Sequence, residues 1–433
     1  MKQIFTSLLS LTLSCCAVAS VVHLPSAVAN DTPSPQLTST DINHLLDLDT
    51  RLMQLTNGIN LSHWFAQSSN YSDTRLNSFI TQTDLATIKS LGFNHVRLPV
   101  DPVLLLNEGN PSDLNAHYLQ HLDRALNLIL DNDLAVIVDL HPNSSFKERL
   151  AKDDGFVAQI SQFWGSFAQH LSHFDPERLF LEVLNEPSFN WYLSENPVER
   201  WDWVQNQLID SIRVHAPQHT ILATGHDWNN IEGLLQLTPI ADPNVIYSLH
   251  FYEPIVFTHQ GTDWVHEHLS YIRNLPYGVD DDDCEQVLSQ ISLQKAVDLA
   301  YGYCQEEWDR DKIKARIATL AAWKQAHQVR VVATEFGASR FWVNPEDRFA
   351  WTQDVRSVLE EYNMGWTLWD YTGNFALAPK TDGIRIVDPQ LVSALDLEPE
   401  QEVFQPPQSV PEPSAIAGLA LMVILAKRKL NRV

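Results

Sequence analysis

Residues 179–186 read "LFLEVLNE", an apolar run that closes on Asn185 and Glu186 and is stopped at once by Pro187. A carboxylate resists burial, because taking it out of water costs several kcal/mol unless it is paired or its pKa shifts. A buried strand that delivers an amide and a carboxylate at its C-terminal end therefore needs a reason for doing so. The reason depends on what the rest of the chain builds around it.

Similar runs recur at "NGINLS" (57–62), "HVRLPV" (95–100), "AVIVDLH" (135–141), "TILATG" (220–225), "VIYSLHFY" (245–252), "RVVATEF" (330–336) and "GWTLWDY" (365–371). Between the eight lie amphipathic stretches that predict helices at 83–91, 115–131, 155–173, 198–214, 229–236, 306–327 and 347–362, with a weak one near 390. Near-continuous apolar strands alternating with helices imply a parallel sheet covered on its outer face. Eight such units close a (β/α)8 TIM barrel; an open doubly wound sheet is the alternative. In a barrel the C-terminal strand ends form the active-site face. Polar residues collect there: Arg97, Asp139 and His141, Asn185 and Glu186, His250 and Tyr252, Glu335, and Trp369 with Asp370.

With 433 residues, 44% hydrophobic and 19% charged, the chain has enough apolar material for a large core and too little charge for a disordered one. Its net charge of −25, from 29 Lys and Arg against 54 Asp and Glu, opposes nucleic acid as a partner and is compatible with a neutral substrate.

Residues 1–29 have the layout of a secretory signal peptide: Lys2, an apolar stretch, then small residues at Ala27 and Ala29. Residues 30–51 read as a linker, 52–398 as the folded body and 399–409 as a second linker. Export leaves Cys284 and Cys304 as the mature cysteines, and an oxidising compartment predicts a disulfide between them, closing a loop of about 20 residues worth roughly 3 kcal/mol. The acidic run 280–283 beside Cys284 reads as a solvated turn, with calcium binding as the alternative. At 410–433 the order is Pro411-Glu412-Pro413, an apolar run from Ala415 to Ala426, then Lys427, Arg428 and Lys429. This tail resembles PEP-CTERM sorting signals, which implies transient membrane anchoring and an exosortase-type processing enzyme as partner. A plain C-terminal anchor is the alternative, and the expected location is secreted or cell-envelope associated.

Glu186 and Glu335, at the ends of the fourth and seventh strands, face each other across the predicted barrel mouth. Paired carboxylates are what glycoside hydrolysis requires: one protonates the leaving oxygen while the other attacks or activates water. From "GINLSHW" to "LWDYTGNF" the body resembles glycoside hydrolase family 5, the large cellulase-type family. The resemblance rests on Asn185-Glu186-Pro187, "VVATEFG" with Glu335, Arg97 in "VRLP", His141 in "DLHP", His250 and Tyr252 in "LHFY", and Trp369 in "TLWD".

It implies Glu186 as acid and base, with a pKa raised by burial and by the second carboxylate, and Glu335 as nucleophile, kept ionised by Arg97 and Tyr252. Asn185 is expected at the sugar 2-hydroxyl, and His141 and His250 at sugar hydroxyls or orienting the acid. Trp369 is expected beneath a sugar ring, while Trp64, Trp228 and Trp264, with Trp191 and Trp342, are candidate sugar platforms. No cofactor or metal is implied. The implied activity is retaining endo-hydrolysis of a β-1,4-glucan, with β-1,3-glucan, mannan or another β-glycoside as alternatives. Two readings of other classes compete: a metal-dependent hydrolase using Asp139, His141, His250 and Glu335, and a non-catalytic surface glycan-binding protein.

Overall fold

The computed structural model describes residues 48–278, 281–381 and 383–397. The signal peptide 1–29, nearly all of the first linker, the second linker and the 410–433 tail lie outside the described residues, as do the side chains of the acidic run 280–283. Among the described residues no helix is long and apolar enough to cross a membrane.

Eight parallel strands close a barrel: β1 (Asn57–Asn60), β2 (His95–Val100), β3 (Ala135–Leu140), β4 (Leu179–Glu182), β5 (Ile221–Ala223), β6 (Val245–Phe251), β7 (Val331–Phe336) and β8 (Gly365–Leu368). Each pairs with the next in sequence, and β8 returns to β1 through Gly58 opposite Thr367. The open-sheet alternative is thereby excluded. The expected helices are present around this barrel, including Ala116–Asp131, Asp154–Leu171, Pro197–His215, Arg310–His327 and Pro345–Glu361.

Because successive side chains on a strand point to opposite faces, each strand feeds two cores. On β3, Val136, Val138 and Leu140 face the helices, while Ala135 and Ile137 face the barrel axis. There they meet Phe180, Leu222, Ile246 and Val332, together with Leu48 and Leu55 from the segment before β1, and form an apolar floor. Two residues further along the same strands the lining turns polar: Asp139 above Ile137, Glu182 above Phe180, Ser248 above Ile246 and Thr334 above Val332, all fully buried. The next level is the rim.

The strands stop earlier than the sequence suggests. β4 ends at Glu182, and four residues on Glu186 has φ of 46°, a left-handed conformation outside the strand region. A second departure is a register shift between β6 and β7, where Leu249 opposes Ala333 but His250 opposes Glu335. The extra residue turns Glu335 inward beside His250.

The insertion after β6 carries the helices Ile255–Thr258, Asp281–Leu288 and Gln294–Gln305, and Cys284 is disulfide-bonded to Cys304 within it. A short hairpin, Lys380–Thr381 with Ile384–Arg385, has no counterpart in the sequence reading.

Candidate active site

The site is built on Arg97, which rises from the middle of β2 with no exposure to solvent. Its Nε donates to Glu182 Oε2 at 2.6 Å, and its Nη2 donates to Asn185 Oδ1 at 2.9 Å and meets Asp139 Oδ2 at 3.0 Å. The remaining amine, Nη1, reaches Asn60 Oδ1 at 3.0 Å and Glu335 Oε1 at 2.6 Å. Burial disfavours the guanidinium charge, but Asp139, Glu182 and Glu335 more than restore it, so Arg97 stays protonated. One buried cation thus organises three carboxylates and two amides, and each of its branches fixes a different strand end.

Glu335 takes its second hydrogen bond from the Tyr252 hydroxyl, 2.8 Å from Oε2. Burial and the adjacent Glu335 raise the Tyr252 pKa well above normal, so the phenol remains a donor. Tyr252 is braced by the rings of His259 and Phe375, at 5.0 and 6.1 Å. Behind Glu335, a Cβ on Gly337 would lie 2.3 Å from the Trp369 carbonyl oxygen, so glycine is what lets β8 cross there.

Glu186 sits opposite. His250 Nδ1 donates to its Oε1 at 3.0 Å and lies 3.5 Å from Glu335 Oε2. Oxygens of Glu186 and Glu335 approach within 4.8 Å of each other. The sequence reading expects a raised pKa for Glu186, and here the structure differs. Burial does push it up, but the His250 hydrogen bond and charge, with Lys147 and His141 behind, outweigh burial and hold the carboxyl down at about 2. Correspondingly, Glu335 and Glu186 raise His250 against its own burial. The nearest neighbour of Glu186 is an imidazole, so the proton of the pair rests on His250.

His141 donates from Nδ1 to Asp139 Oδ2 at 2.7 Å, and its ring stacks on Trp369 at 6.1 Å with planes 14° apart. Burial pushes Asp139 up to about 6, against the pull of Arg97, and takes His141 down to about 3. A neutral imidazole held this way keeps Nε2 as an acceptor. Trp369 is half-buried at the mouth and is joined to Asp370 by a cis peptide bond.

Of the candidate platforms, Trp64 is not one. Its ring is fully buried against Phe65 and its indole N–H donates to the Leu76 carbonyl at 2.9 Å, which makes it part of the core behind β1. Trp191, Trp228, Trp264 and Trp342 are all exposed, by 76, 42, 53 and 38%.

Four residues of the site carry no signal in the sequence. Glu182 lies mid-strand and looks like part of an apolar run. Ser248 donates to Glu182 Oε1 at 2.8 Å and contacts Thr334, yet both resemble ordinary strand residues. Lys147 belongs to an amphipathic helix, Ser144–Lys152, that the reading missed; its side chain is 5% exposed, with the ammonium 5.6 Å over the Trp228 ring. Burial lowers the Lys147 pKa, and Glu186, Asp139 and Glu335 resist that fall.

The chain matches the profile of Cellulase (glycosyl hydrolase family 5) over residues 56–375. It belongs to glycosyl hydrolase family 5. Among family relatives, Endoglucanase 3 of Fibrobacter succinogenes is 27% identical over 363 residues, covering 80% of this chain and 54% of that protein. Endoglucanase C of Acetivibrio thermocellus is 25% identical over 324 residues, covering 72% and 90%. The fold is shared with cellulose synthase subunit Z of Clostridioides difficile, at a TM-score of 0.63 and 22% identity over 79% of this chain and 99% of that one. It is shared equally with Thermotoga maritima Cel5A, at a TM-score of 0.64 and 22% identity over 81% and 99%. As a member of the family, the protein is a glycoside hydrolase.

Glu186, His250 and Glu335 are close enough to share a metal ion. The cations already there, Arg97 on Glu335 and Lys147 near Glu186, oppose a further positive charge. Among the described residues Asp139 and His141 do not converge with His250 and Glu335 as ligands, so the four-ligand set of the metal-hydrolase reading does not assemble.

Proposed function

We propose that the protein is a retaining, endo-acting hydrolase of β-1,4-linked glucan that works by double displacement. The observation that carries this is the separation of Glu186 and Glu335, within 4.8 Å between oxygens. Retaining enzymes hold their carboxyl groups about 5–5.5 Å apart, whereas inverting ones need roughly 6.5–9.5 Å to admit a water.

In the first displacement a Glu335 oxygen bonds to the anomeric carbon. The bond to the leaving oxygen breaks, and that oxygen takes a proton from Glu186. The proton reaches Glu186 from His250 along their 3.0 Å hydrogen bond. In the second, Glu186 removes a proton from water, the resulting hydroxide attacks the same carbon, Glu335 departs as a carboxylate, and the proton returns from Glu186 to His250 along the same hydrogen bond. Arg97 and Tyr252 stabilise Glu335 as the anion that arrives and leaves. Asn185, whose oxygen accepts from Arg97, would donate through its amide nitrogen to the 2-hydroxyl, a contact that strengthens in the transition state. Lys147, near Glu186 and with its ammonium 5.6 Å over the Trp228 ring, would meet the leaving sugar together with Trp228.

The names of the curated relatives, several of them endoglucanases, support glucan as the polymer. The leader and the PEP-CTERM-like tail support export, passage through an inner-membrane-held form and cleavage by an exosortase-type enzyme. Glu335→Gln measured on a panel of β-1,4-glucan, β-1,3-glucan and mannan, with analysis of product length, tests the activity. Full turnover by that variant on any of these polymers sinks the mechanism. Short oligosaccharides released only from mannan would change the substrate and leave the chemistry standing. Mass spectrometry of the mature termini tests the processing.

A further inference from the structure

On the outside of the barrel, away from the site, His117 and His121 stand one turn apart on the helix Ala116–Asp131. Residues four apart on a helix share a face, and both rings turn their Nε2 toward one oxygen of Asp73, on the short helix Asp73–Ser78. The distances to Asp73 Oδ1 are 2.9 Å from His117 and 3.3 Å from His121, and the three ligand atoms all lie within 4.8 Å of one another.

We propose that Asp73, His117 and His121 form a binding site for a divalent transition-metal ion, best suited to Zn2+ or Ni2+. Two imidazoles and a carboxylate are a donor set such ions favour. With bonds of about 2.0–2.1 Å, the edges of a tetrahedron around zinc measure roughly 3.3 Å, which the His121–Asp73 separation of 3.3 Å matches and the His117–Asp73 separation of 2.9 Å meets by a small widening.

The second ring nitrogen of His121 supplies an independent observation. Its Nδ1 lies 3.1 Å from Asn77 Oδ1, an acceptor, so Nδ1 carries the hydrogen. In the neutral ring Nε2 then presents a lone pair toward the Asp73 carboxylate. Such a pair of acceptors is bridged either by a proton on the ring or by a metal ion that takes the proton's place, and an imidazole anchored through its other nitrogen is how metal-ligating histidines are oriented.

The site bridges two segments. Arg124 Nη2 on the longer helix already donates to the Leu76 carbonyl at 2.7 Å, and Arg75 Nη1 donates to the Trp64 carbonyl at 3.1 Å. An ion here therefore ties the segment between β1 and the helix Gln82–Ser90 to the barrel wall. Three protein ligands leave a fourth position for water, and no group near the ion has a part in hydrolysis. Its effect is on stability.

The test is titration calorimetry and thermal unfolding of the tag-free full chain with ZnCl2 and with NiCl2 at neutral pH. The expected result is one ion bound per chain and a rise in Tm of roughly 3 °C near a hundredfold excess over Kd. His117→Ala and His121→Ala abolish both effects and leave the metal-free hydrolysis rate unchanged. Asn77→Leu weakens binding at least about tenfold through the orientation of His121. Glu335→Gln binds as wild type does, which separates this site from the carboxylates of the barrel mouth. Absence of binding by the wild type, or binding that survives in both histidine variants, overturns the proposal.

Discussion

The guanidinium of Arg97 meets the carboxylate of Glu335 at 2.6 Å, with Arg97 wholly shielded from solvent and Glu335 nearly so. Removing one member of a buried, hydrogen-bonded charge set strands the others, at about 3–5 kcal/mol. Arg97→Lys keeps the charge but not the geometry that reaches Glu182, Asn185 and Glu335 together. The expected outcome is a drop in kcat of at least about a hundredfold with KM little changed, accompanied by a lower Tm. Steady-state kinetics and thermal unfolding check both, and a variant with normal kcat would show that Glu335 needs no such partner.

Glu186 acts on the leaving group alone in the first step, so its loss should depend on what leaves. Glu186→Gln is expected to reduce kcat on polysaccharide by about 10²–10⁴. On an aryl glycoside whose phenol departs without protonation, the burst of released phenol should persist, followed by slow turnover. Equal losses on both substrates would argue that Glu186 is not the acid.

His250 sets a limit at high pH. Its pKa is raised: burial works against the charged ring, but Glu335 and Glu186 prevail. The folded protein therefore holds this proton to a higher pH than the unfolded chain does. The stability it contributes is complete below the ordinary imidazole value and is lost as pH rises through the raised one. Proton supply to Glu186 fails over the same interval, so the alkaline limb of kcat/KM should fall there. In His250→Asn that limb should move and kcat should fall; a pH–rate profile with the limb in place would assign the proton to another group.

Lys147 is buried near Glu186, with its ammonium over the Trp228 ring. Lys147→Met keeps the length and removes the charge. It should raise KM for cello-oligosaccharides about tenfold while leaving aryl glycosides nearly unaffected. An equal effect on both substrates would place Lys147 with Glu186 and not with the sugar.

Trp64→Ala tests a correction. As a fully buried indole, Trp64 should cost about 3–5 kcal/mol of stability when truncated, with KM unchanged for the fraction that remains folded. A raised KM with normal stability would return Trp64 to the cleft.

The barrel was legible because its code is coarse. Eight apolar runs, helical spacing between them and polar residues at the run ends need no knowledge of which atoms touch. The rim residues were legible for the same reason: a carboxylate or histidine that closes an apolar strand is conspicuous. Glu182 was not, because it sits within the run, and its pairing with Arg97 depends on the barrel bringing β2 and β4 to the axis at one height. The Glu186 pKa was misjudged for a related reason. Sequence places two glutamates at opposite strands, but the register shift that inserts His250 between them is a property of the β6–β7 ladder.

The apolar floor beneath the polar layer has a practical consequence. Ile137, Phe180, Leu222, Ile246 and Val332 sit below the residues that hold the reacting groups and are buried away from the mouth. Heat tolerance and polymer preference are thus written at different heights of the same strands. Laboratory evolution can repack the bottom for one while recasting the loops for the other, provided the Arg97 girdle between them is left alone.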